Sequence, residues 1–148
     1  MQTSSRDEVD YVMRLACQIA SDRSSEYVET EHVLMALIPY PVIVMLLKRF
    51  NVETNAIQRR IYTLSPRGSS IIIQGMSEKP ILKHVRKYAV QQARQFMSEH
   101  VGVEHLFLGL LIVQDGKAFQ VLNELGIKIP AVENAIRYVN AQVQLTER

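Results

Sequence analysis

The chain carries one helical pattern twice. Residues 31–37, EHVLMAL, return 73 positions later as residues 104–110, EHLFLGL. The same shift also pairs small and apolar residues ahead of this heptad: Val12 with Val85, Ala16 with Ala89, Ala20 with Ala93 and Val28 with Val101. Beyond the heptad the shift becomes 75 residues and pairs Leu47 with Leu122, Phe50 with Leu125 and Val52 with Ile127. The sequence therefore predicts two copies of one helical unit.

The two extra residues of the second copy fall in a turn. Pro39-Tyr40-Pro41 stands in the first copy where the second has the longer turn around Gln114-Asp115-Gly116. Packed repeats tolerate length changes in their connections far better than in their helices. We therefore expect both copies to keep the same core.

Length and composition are those of a soluble globular domain. The chain of 148 residues, 47% of them apolar, is long enough for one compact domain or for two small halves that share a core. Its longest apolar stretch, from Val33 to Leu47, is broken by two prolines, so neither a membrane span nor a signal peptide is predicted. A lone cysteine, Cys17, cannot form an internal disulfide and suits a reducing compartment.

Hydrophobic periodicity predicts four helices in each copy. In the first repeat, about residues 6–64, they are Asp7 to Ser21, Glu31 to Pro39 with Thr30 as N-cap, Val42 to Phe50, and Glu53 to Leu64. In the second, about residues 77–143, Pro80 lies in the first turn of helix five and helix six starts near Val103. Asp115-Gly116 leads into helix seven, Gly126 ends it, and Pro130 opens helix eight.

Residues 65–76 are predicted to link the repeats. Pro66 and Gly68 precede an isolated apolar triplet, Ile71 to Ile73. The triplet is interpreted as an extended segment that lies over the core or against a neighbouring chain. Three residues are too few to predict a sheet.

Motif, duplication and element order together resemble the Clp repeat. The resemblance covers about Arg6 to Val143 and is strongest over residues 103–110, VEHLFLGL. It implies an all-α fold of two four-helix repeats, related by a pseudo-twofold axis, like the N-terminal domain of Clp-type protein-unfolding ATPases. It also implies an interaction module that docks substrates or adaptor proteins for an unfoldase ring, with Clp ATPase or protease subunits, adaptors and unfolded or tagged proteins as partners.

No nucleotide-binding motor is visible in these 148 residues. A phosphate-binding loop needs spaced glycines ahead of Lys-Ser or Lys-Thr, and the six glycines never supply that spacing. We therefore expect no enzyme activity and no cofactor. Two alternatives stay open: a domain of a longer ATPase, or a freestanding accessory subunit that regulates Clp assembly. A cytoplasmic location is expected, or the plastid stroma if the source is a plant.

Glu31 and Glu104 are the candidate docking residues by resemblance. In relatives that recognise phosphorylated arginine, the motif glutamate pairs with the guanidinium, and a threonine early in each repeat helps to hold the phosphate. The simpler interpretation is that each glutamate stabilises a helix N-terminus. Arg6 and Lys79 stand where the threonines are expected, 25 residues before each glutamate. They are candidate anion contacts, but without hydroxyls they weaken the phosphoarginine hypothesis.

Two other site classes are weighed against docking. His32 and His105 are repeat-related, yet no His-Glu-x-x-His or Cys-x-x-Cys spacing accompanies them, so they are interpreted as structural and no metal is expected. A nucleic-acid-binding helical protein is the alternative from another class, since helix five carries Lys83, Arg86, Lys87 and Arg94, and Arg59-Arg60 lies in helix four. A net charge of +2 makes it the weaker hypothesis.

Overall fold

The helices fall into two sets of four. The structure, a computed structural model, describes residues 5–68 and 77–146, and side chains within residues 8–68 and 77–142. The helices in this part are α1 (Ser5–Asp22), α2 (Thr30–Leu37), α3 (Pro41–Lys48), α4 (Thr54–Leu64), α5 (Ile81–Gln95), α6 (Val103–Ile112), α7 (Gly116–Glu124) and α8 (Ile129–Thr146). The prediction of an all-α fold is confirmed. The Ile71 to Ile73 triplet and the Arg6 side chain lie outside what is described.

Equivalent helices end in equivalent turns. Ser24 after α1 and Met97 after α5 are both left-handed, with φ of 55° and 56°, and lie 73 positions apart. Asn51 after α3 and Gly126 after α7, with φ of 57° and 78°, lie 75 positions apart. At each of these four ends, two backbone N–H groups turn back to carbonyls of the last helical turn, as in a Schellman motif. The offsets of 73 and 75 residues found in the sequence therefore also relate equivalent backbone turns of the two repeats.

The heptads form the two central helices. Every residue of α2 is buried, as is every residue of α6 from Val103 to Leu111 except Glu104. Because these helices are apolar on nearly all sides, they must be covered all round. α1 packs on α2, and α5 packs on α6. The amphipathic helices therefore shield the apolar ones from water.

The two sets of helices interlock. α7 contacts both α2 and α4, while α3 contacts both α6 and α8. The buried side chains consequently form one continuous cluster that includes Leu34, Leu46, Phe107 and Leu122. α2 and α7 also meet at their N-termini, and this meeting point positions the candidate site.

A short strand pair was not predicted. β1 (Tyr27–Val28) runs parallel to β2 (Ser77–Glu78), and the Lys79 N–H extends the pairing by donating to the Val28 carbonyl at 2.9 Å. Two-residue strands have no periodicity of their own. Their pairing depends on the tertiary approach of segments about 50 residues apart in the sequence.

The predicted role of Thr30 as an N-cap is wrong. α2 begins at Thr30 itself, and Glu29, in an extended conformation, is its N-cap. A threonine just ahead of an apolar run favours the cap interpretation. In the folded chain its hydroxyl instead bonds across to another helix. The other helix starts agree with the prediction to within one residue or two.

No single helix in the described part of the chain is both long enough and apolar enough to cross a membrane. Only α2 and α3 taken together reach that length and hydropathy, and these two helices meet at a 95° bend.

Candidate functional site

A cleft opens where the N-termini of α2 and α7 meet. Its volume is about 420 Å³. Its walls come from both repeats, with the start of α5 closing one side. We call it the Glu31 cleft, and its lining residues are Glu29, Thr30, Glu31, Ile81, Gln114, Asp115, Gly116, Lys117, Phe119 and Gln120.

Glu31 presents a buried carboxylate to this cleft. The residue is 1% exposed, and its Oε2 has no hydrogen-bond partner among the described residues. The Lys117 ammonium forms an ion pair with it, with its Nζ 3.8 Å from that oxygen. This distance is that of an ion pair and is too long for a hydrogen bond. One carboxylate oxygen is therefore left with unused acceptor capacity.

Thr30 connects the two walls of the cleft. Its Oγ1 accepts a hydrogen bond from the Ala118 backbone N–H at 3.2 Å. Ala118 is the third residue of α7, so a side chain of one repeat caps a helix of the other. The Asp115 carboxylate accepts from the Gly116 N–H at 2.8 Å on the same helix end. The cleft is thus built on two fixed helix N-termini.

The two motif histidines are structural. Nδ1 of His32 accepts from the Glu29 N–H, and Nδ1 of His105 accepts from the Gly102 N–H, each at 2.9 Å. Burial lowers the pKa of His32, and it lowers the pKa of His105 to about 4. Each neutral ring therefore satisfies the first backbone donor of its helix. No described group of three or more His, Cys, Asp or Glu side chains is placed to hold a metal ion.

Glu104, the repeat-related counterpart of Glu31, lies in a different environment. Burial, reinforced by the Glu8 carboxylate, raises the pKa of Glu104 to about 7. Burial also raises the pKa of Glu8. The His105 ring, 3.5 Å away, is neutral and forms no ion pair with Glu104. The Glu104 carboxylate lies so close to Gly102 that a Cβ at position 102 would overlap its Oε1.

The repeats differ at the positions that surround the two glutamates. Lys117 in α7 corresponds to Val42 in α3, and Ile81 at the start of α5 corresponds to Glu8 in α1. Thr30 corresponds to Val103. Glu31 therefore has a cation and a hydroxyl beside it, whereas Glu104 has a second carboxylate and an aliphatic side chain. The two motif glutamates are chemically unlike.

Lys79 lies on the Glu31 side of the molecule. Its Nζ sits 4.5 Å from the centre of the Tyr27 ring, and its charge acts on Glu29. Counting 25 residues back from Glu104 thus identifies a residue whose charge acts on Glu29, at the N-terminus of the other repeat's motif helix. Its role as an anion contact stays a prediction, and so does that of Arg6.

A second concavity lies between α1 and α5. This α1–α5 groove has a volume of about 370 Å³ and an apolar floor that includes the buried residues Ala89 and Leu106. The exposed carboxylates of Asp10 and Glu99 stand at its rim. The remaining lining residues are Val9, Arg86, Val90, His100 and Val101.

The predicted basic patch is partly neutralised. Arg86 forms a double hydrogen bond with the Glu78 carboxylate, 2.5 Å on each arm. Arg60 pairs with Glu124 at 3.0 Å. Two of the cations on which the nucleic-acid hypothesis depends are therefore already bound to carboxylates.

The structure is an all-α domain of two interlocked repeats with an open cleft between them. The family model for the Clp repeat (R) N-terminal domain matches residues 6–125 and 82–145. The chain belongs to this family, whose members serve as non-catalytic interaction domains of Clp ATPases.

Curated relatives agree with this assignment. A ClpA homolog, the ATP-binding subunit of an ATP-dependent Clp protease of Trieres chinensis, is 28% identical over 84% of this chain and 14% of that protein. ClpC/MecB of Bacillus subtilis, a negative regulator of genetic competence, is 29% identical over 80% of this chain and 15% of that protein. The chloroplastic chaperone ClpC1 of rice, Oryza sativa, is 30% identical over 78% and 13%. The chain thus spans about a seventh of these proteins.

Solved structures share the fold. The Hsp104 N-terminal domain of Candida albicans superposes with a TM-score of 0.76 at 18% identity, covering 94% of this chain and 92% of that one. The ClpV N-domain in complex with a VipB peptide superposes with a TM-score of 0.63 at 14% identity, covering 84% and 85%.

The sequence led to the two glutamates but not to their neighbours. Sequence reasoning missed Lys117, Glu8 and the hydrogen-bonding role of the Thr30 hydroxyl. Each of these residues acts on a group of the other repeat. A signal for Lys117 was present, since a cation near a helix N-terminus opposes the helix dipole. Such a residue needs another partner, and the structure supplies Glu31.

Proposed function

We propose that this chain docks segments of substrate or adaptor proteins at the Glu31 cleft and presents them to a Clp unfoldase ring. The observation that carries the proposal is the carboxylate of Glu31, which is 1% exposed yet keeps a free acceptor oxygen facing a cleft between the repeats. A buried carboxylate without full pairing is costly unless a ligand completes it. Its position at the family motif and the peptide bound by the ClpV N-domain support the same role.

The α1–α5 groove suits the same kind of client. Its floor is apolar, and the carboxylates of Asp10 and Glu99 give its rim a negative charge, because Arg86 is already neutralised by Glu78. An unfolded segment with an aliphatic side chain next to a lysine or arginine complements this lining. We propose that such a segment uses the groove as an apolar anchor.

Binding of a model unfolded protein tests the docking role. Fluorescein-labelled casein is titrated with the wild-type chain, with Glu31→Gln and with Glu26→Gln, an exposed control, while anisotropy is measured. We expect Glu31→Gln to weaken binding at least about fivefold, because one charge-assisted contact contributes about 1–3 kcal/mol. Equal affinity of the three proteins would reject docking at this cleft.

A freestanding accessory subunit is the second proposal. The 148 residues contain no nucleotide-binding loop, which fits a freestanding subunit and a domain of a longer ATPase equally. Affinity purification with the wild-type chain and with a Glu31→Ala, Glu104→Ala double variant separates the two. Clp ATPase or protease subunits recovered equally with both baits favour the accessory role, whereas clients lost with the variant favour docking.

The compartment is proposed from the relatives. Clp relatives with chloroplastic names, such as the rice protein, and a bacterial ClpC both match this chain. We place the chain in the cytoplasm, or in the plastid stroma if its source is a plant. Fluorescence microscopy of a tagged chain in its source cells decides between them.

A further inference from the structure

Lys117 lies where its own helix disfavours a cation. It is the second residue of α7, close to the positive end of the helix dipole. The corresponding residue of α3 is Val42, so a repeat helix of this type does not need a lysine there. A favourable partner for the Lys117 ammonium must therefore lie outside α7.

The Glu31 carboxylate is that partner, but the two groups form an ion pair without a hydrogen bond. Lys117 Nζ lies 3.8 Å from Glu31 Oε2, too far for a hydrogen bond to hold it in place, and the Lys117 side chain is 41% exposed. Glu31 itself is 1% exposed, and its Oε2 accepts no hydrogen bond from any described group. A buried carboxylate is thus paired with a partly exposed ammonium, at a distance longer than a hydrogen bond.

The charge of the whole cleft favours a cationic ligand. Three carboxylates line it, those of Glu29, Glu31 and Asp115, against the ammonium of Lys117, while Lys79 acts on Glu29 from outside the lining. Repulsion from Glu31 contributes to raising the pKa of Glu29, second to burial, which shows that the negative charges are close enough to interact. An anionic group entering the cleft meets three carboxylates, whereas a guanidinium or ammonium meets an acceptor with free capacity.

We propose that Lys117 is a built-in competitor for the ligand of the cleft: its ammonium neutralises Glu31 in the free protein and is displaced when an unmodified arginine or lysine side chain of a client enters. The inference rests on the proposed docking role and adds its ligand class and its selectivity. Because the first repeat has Val42 at the position equivalent to Lys117, Glu104 has no such competitor.

Titration with a capped peptide containing one arginine tests the exchange. The peptide Gly-Ser-Arg-Ser-Gly is added to ¹⁵N-labelled wild type, Lys117→Met and Lys117→Arg, and dissociation constants are obtained from backbone amide shifts at the N-termini of α2 and α7. Lys117→Met is expected to bind about fivefold more tightly than wild type, and Lys117→Arg about equally. Unchanged or weaker binding by Lys117→Met would overturn the proposal.

Matched controls isolate the charge. The same peptide with citrulline in place of arginine keeps the shape without the charge, and it should bind no variant more tightly than another. Lys87→Met removes an exposed lysine from α5 and should leave the wild-type affinity unchanged. A phosphoarginine peptide that binds wild type more tightly than the arginine peptide contradicts the inferred ligand class.

Failure of this inference and failure of the docking role give different results. If casein binding depends on Glu31 but Lys117→Met does not tighten the arginine peptide, docking stands and the competitor role is rejected. If Lys117→Met binds the arginine peptide more tightly than wild type while Glu31→Gln binds casein as well as wild type does, the exchange stands and the docking role is rejected. No binding of the arginine peptide to any variant rejects the exchange.

Discussion

Thr30 shows how one hydroxyl joins two repeats. It is 2% exposed, and its hydrogen bond to the Ala118 N–H spans 88 positions of sequence. The repeat-related residue, Val103, has nearly the same shape and no hydroxyl. The connection therefore exists on the Glu31 side only, and it fixes the geometry of that cleft.

Replacing Thr30 with valine should destabilise the chain. The Ala118 N–H would be left buried without a partner, which costs about 1–3 kcal/mol. Urea unfolding followed by circular dichroism measures the loss. Thr63→Val, which removes an exposed hydroxyl bonded within α4, serves as control and should change stability by less than about 0.5 kcal/mol. Equal effects of the two substitutions would show that the inter-repeat bond contributes nothing specific.

The pKa of Glu104 links stability to pH. In the folded chain the pKa is about 7, against 4.5 for an unperturbed glutamate. The folded state therefore holds a proton that the unfolded state has released, and this contribution is lost as pH rises from about 4.5 to 7. His105 acts oppositely, because its pKa of about 4 makes stability fall as pH drops below 6.5. The two effects oppose each other between about pH 4.5 and 6.5.

Glu104→Gln should be more stable than wild type at neutral pH. Removing the ionised, buried carboxylate gains up to about 3 kcal/mol, and the gain should shrink towards zero near pH 4.5. Urea titrations at several pH values measure the difference. Glu26→Gln, an exposed control, should show none at any pH. A difference that is constant from pH 4.5 to 7 would contradict the assigned titration.

At the level of helices, close packing of α5 on α6 depends on Gly109. A Cβ at this position would lie 2.5 Å from the Val85 carbonyl oxygen on α5. Backbone atoms cannot move aside as a flexible side chain can, so the two helices approach this closely only because the residue is glycine. Ala36 occupies the equivalent place in α2.

Gly109→Ala should destabilise the chain, although alanine is the better helix former by about 1 kcal/mol. A methyl group placed against the backbone of α5 costs about 1–3 kcal/mol in packing, because α5 must move away from α6 to make room for it. Thermal unfolding measures the net effect, and we expect a lower Tm. Ala36→Gly should also lower Tm, there through helix propensity and a lost methyl contact. A raised Tm for Gly109→Ala would show that the helices have room to spare.

The helices were predictable because their signals are local. Amphipathic spacing, Pro80 and Pro130 near helix starts and Gly126 after α7 all lie inside or next to the element they define. In contrast, the β1–β2 pair, the Thr30 hydrogen bond and the Lys117 ion pair join segments far apart in sequence. A single sequence carries no direct signal for such contacts.

At the scale of the whole molecule, the repeats share one core. α7 packs on α2 and α4, and α3 packs on α6 and α8, so neither set of helices can leave without exposing the apolar surface of the other. The predicted repeat limits, 6–64 and 77–143, therefore describe sequence duplication. We infer that they do not mark independent folding units.

Unfolding should accordingly be a single transition. Urea curves from far-ultraviolet circular dichroism and from tyrosine fluorescence should coincide, because both repeats lose their core together. Thr30→Val is expected to shift both curves by the same amount. Two separated transitions, or a stable fragment of residues 77–146 on its own, would show that the repeats fold independently.

Docking at the Glu31 cleft predicts which backbone amides sense a bound client. ¹⁵N–¹H spectra of the wild-type chain are recorded with increasing unfolded casein. We expect the largest changes at the N-termini of α2 and α7, around Thr30 and Lys117, and we expect Glu31→Gln to suppress them. Changes confined to α4 and α8, or an unchanged spectrum, would contradict it.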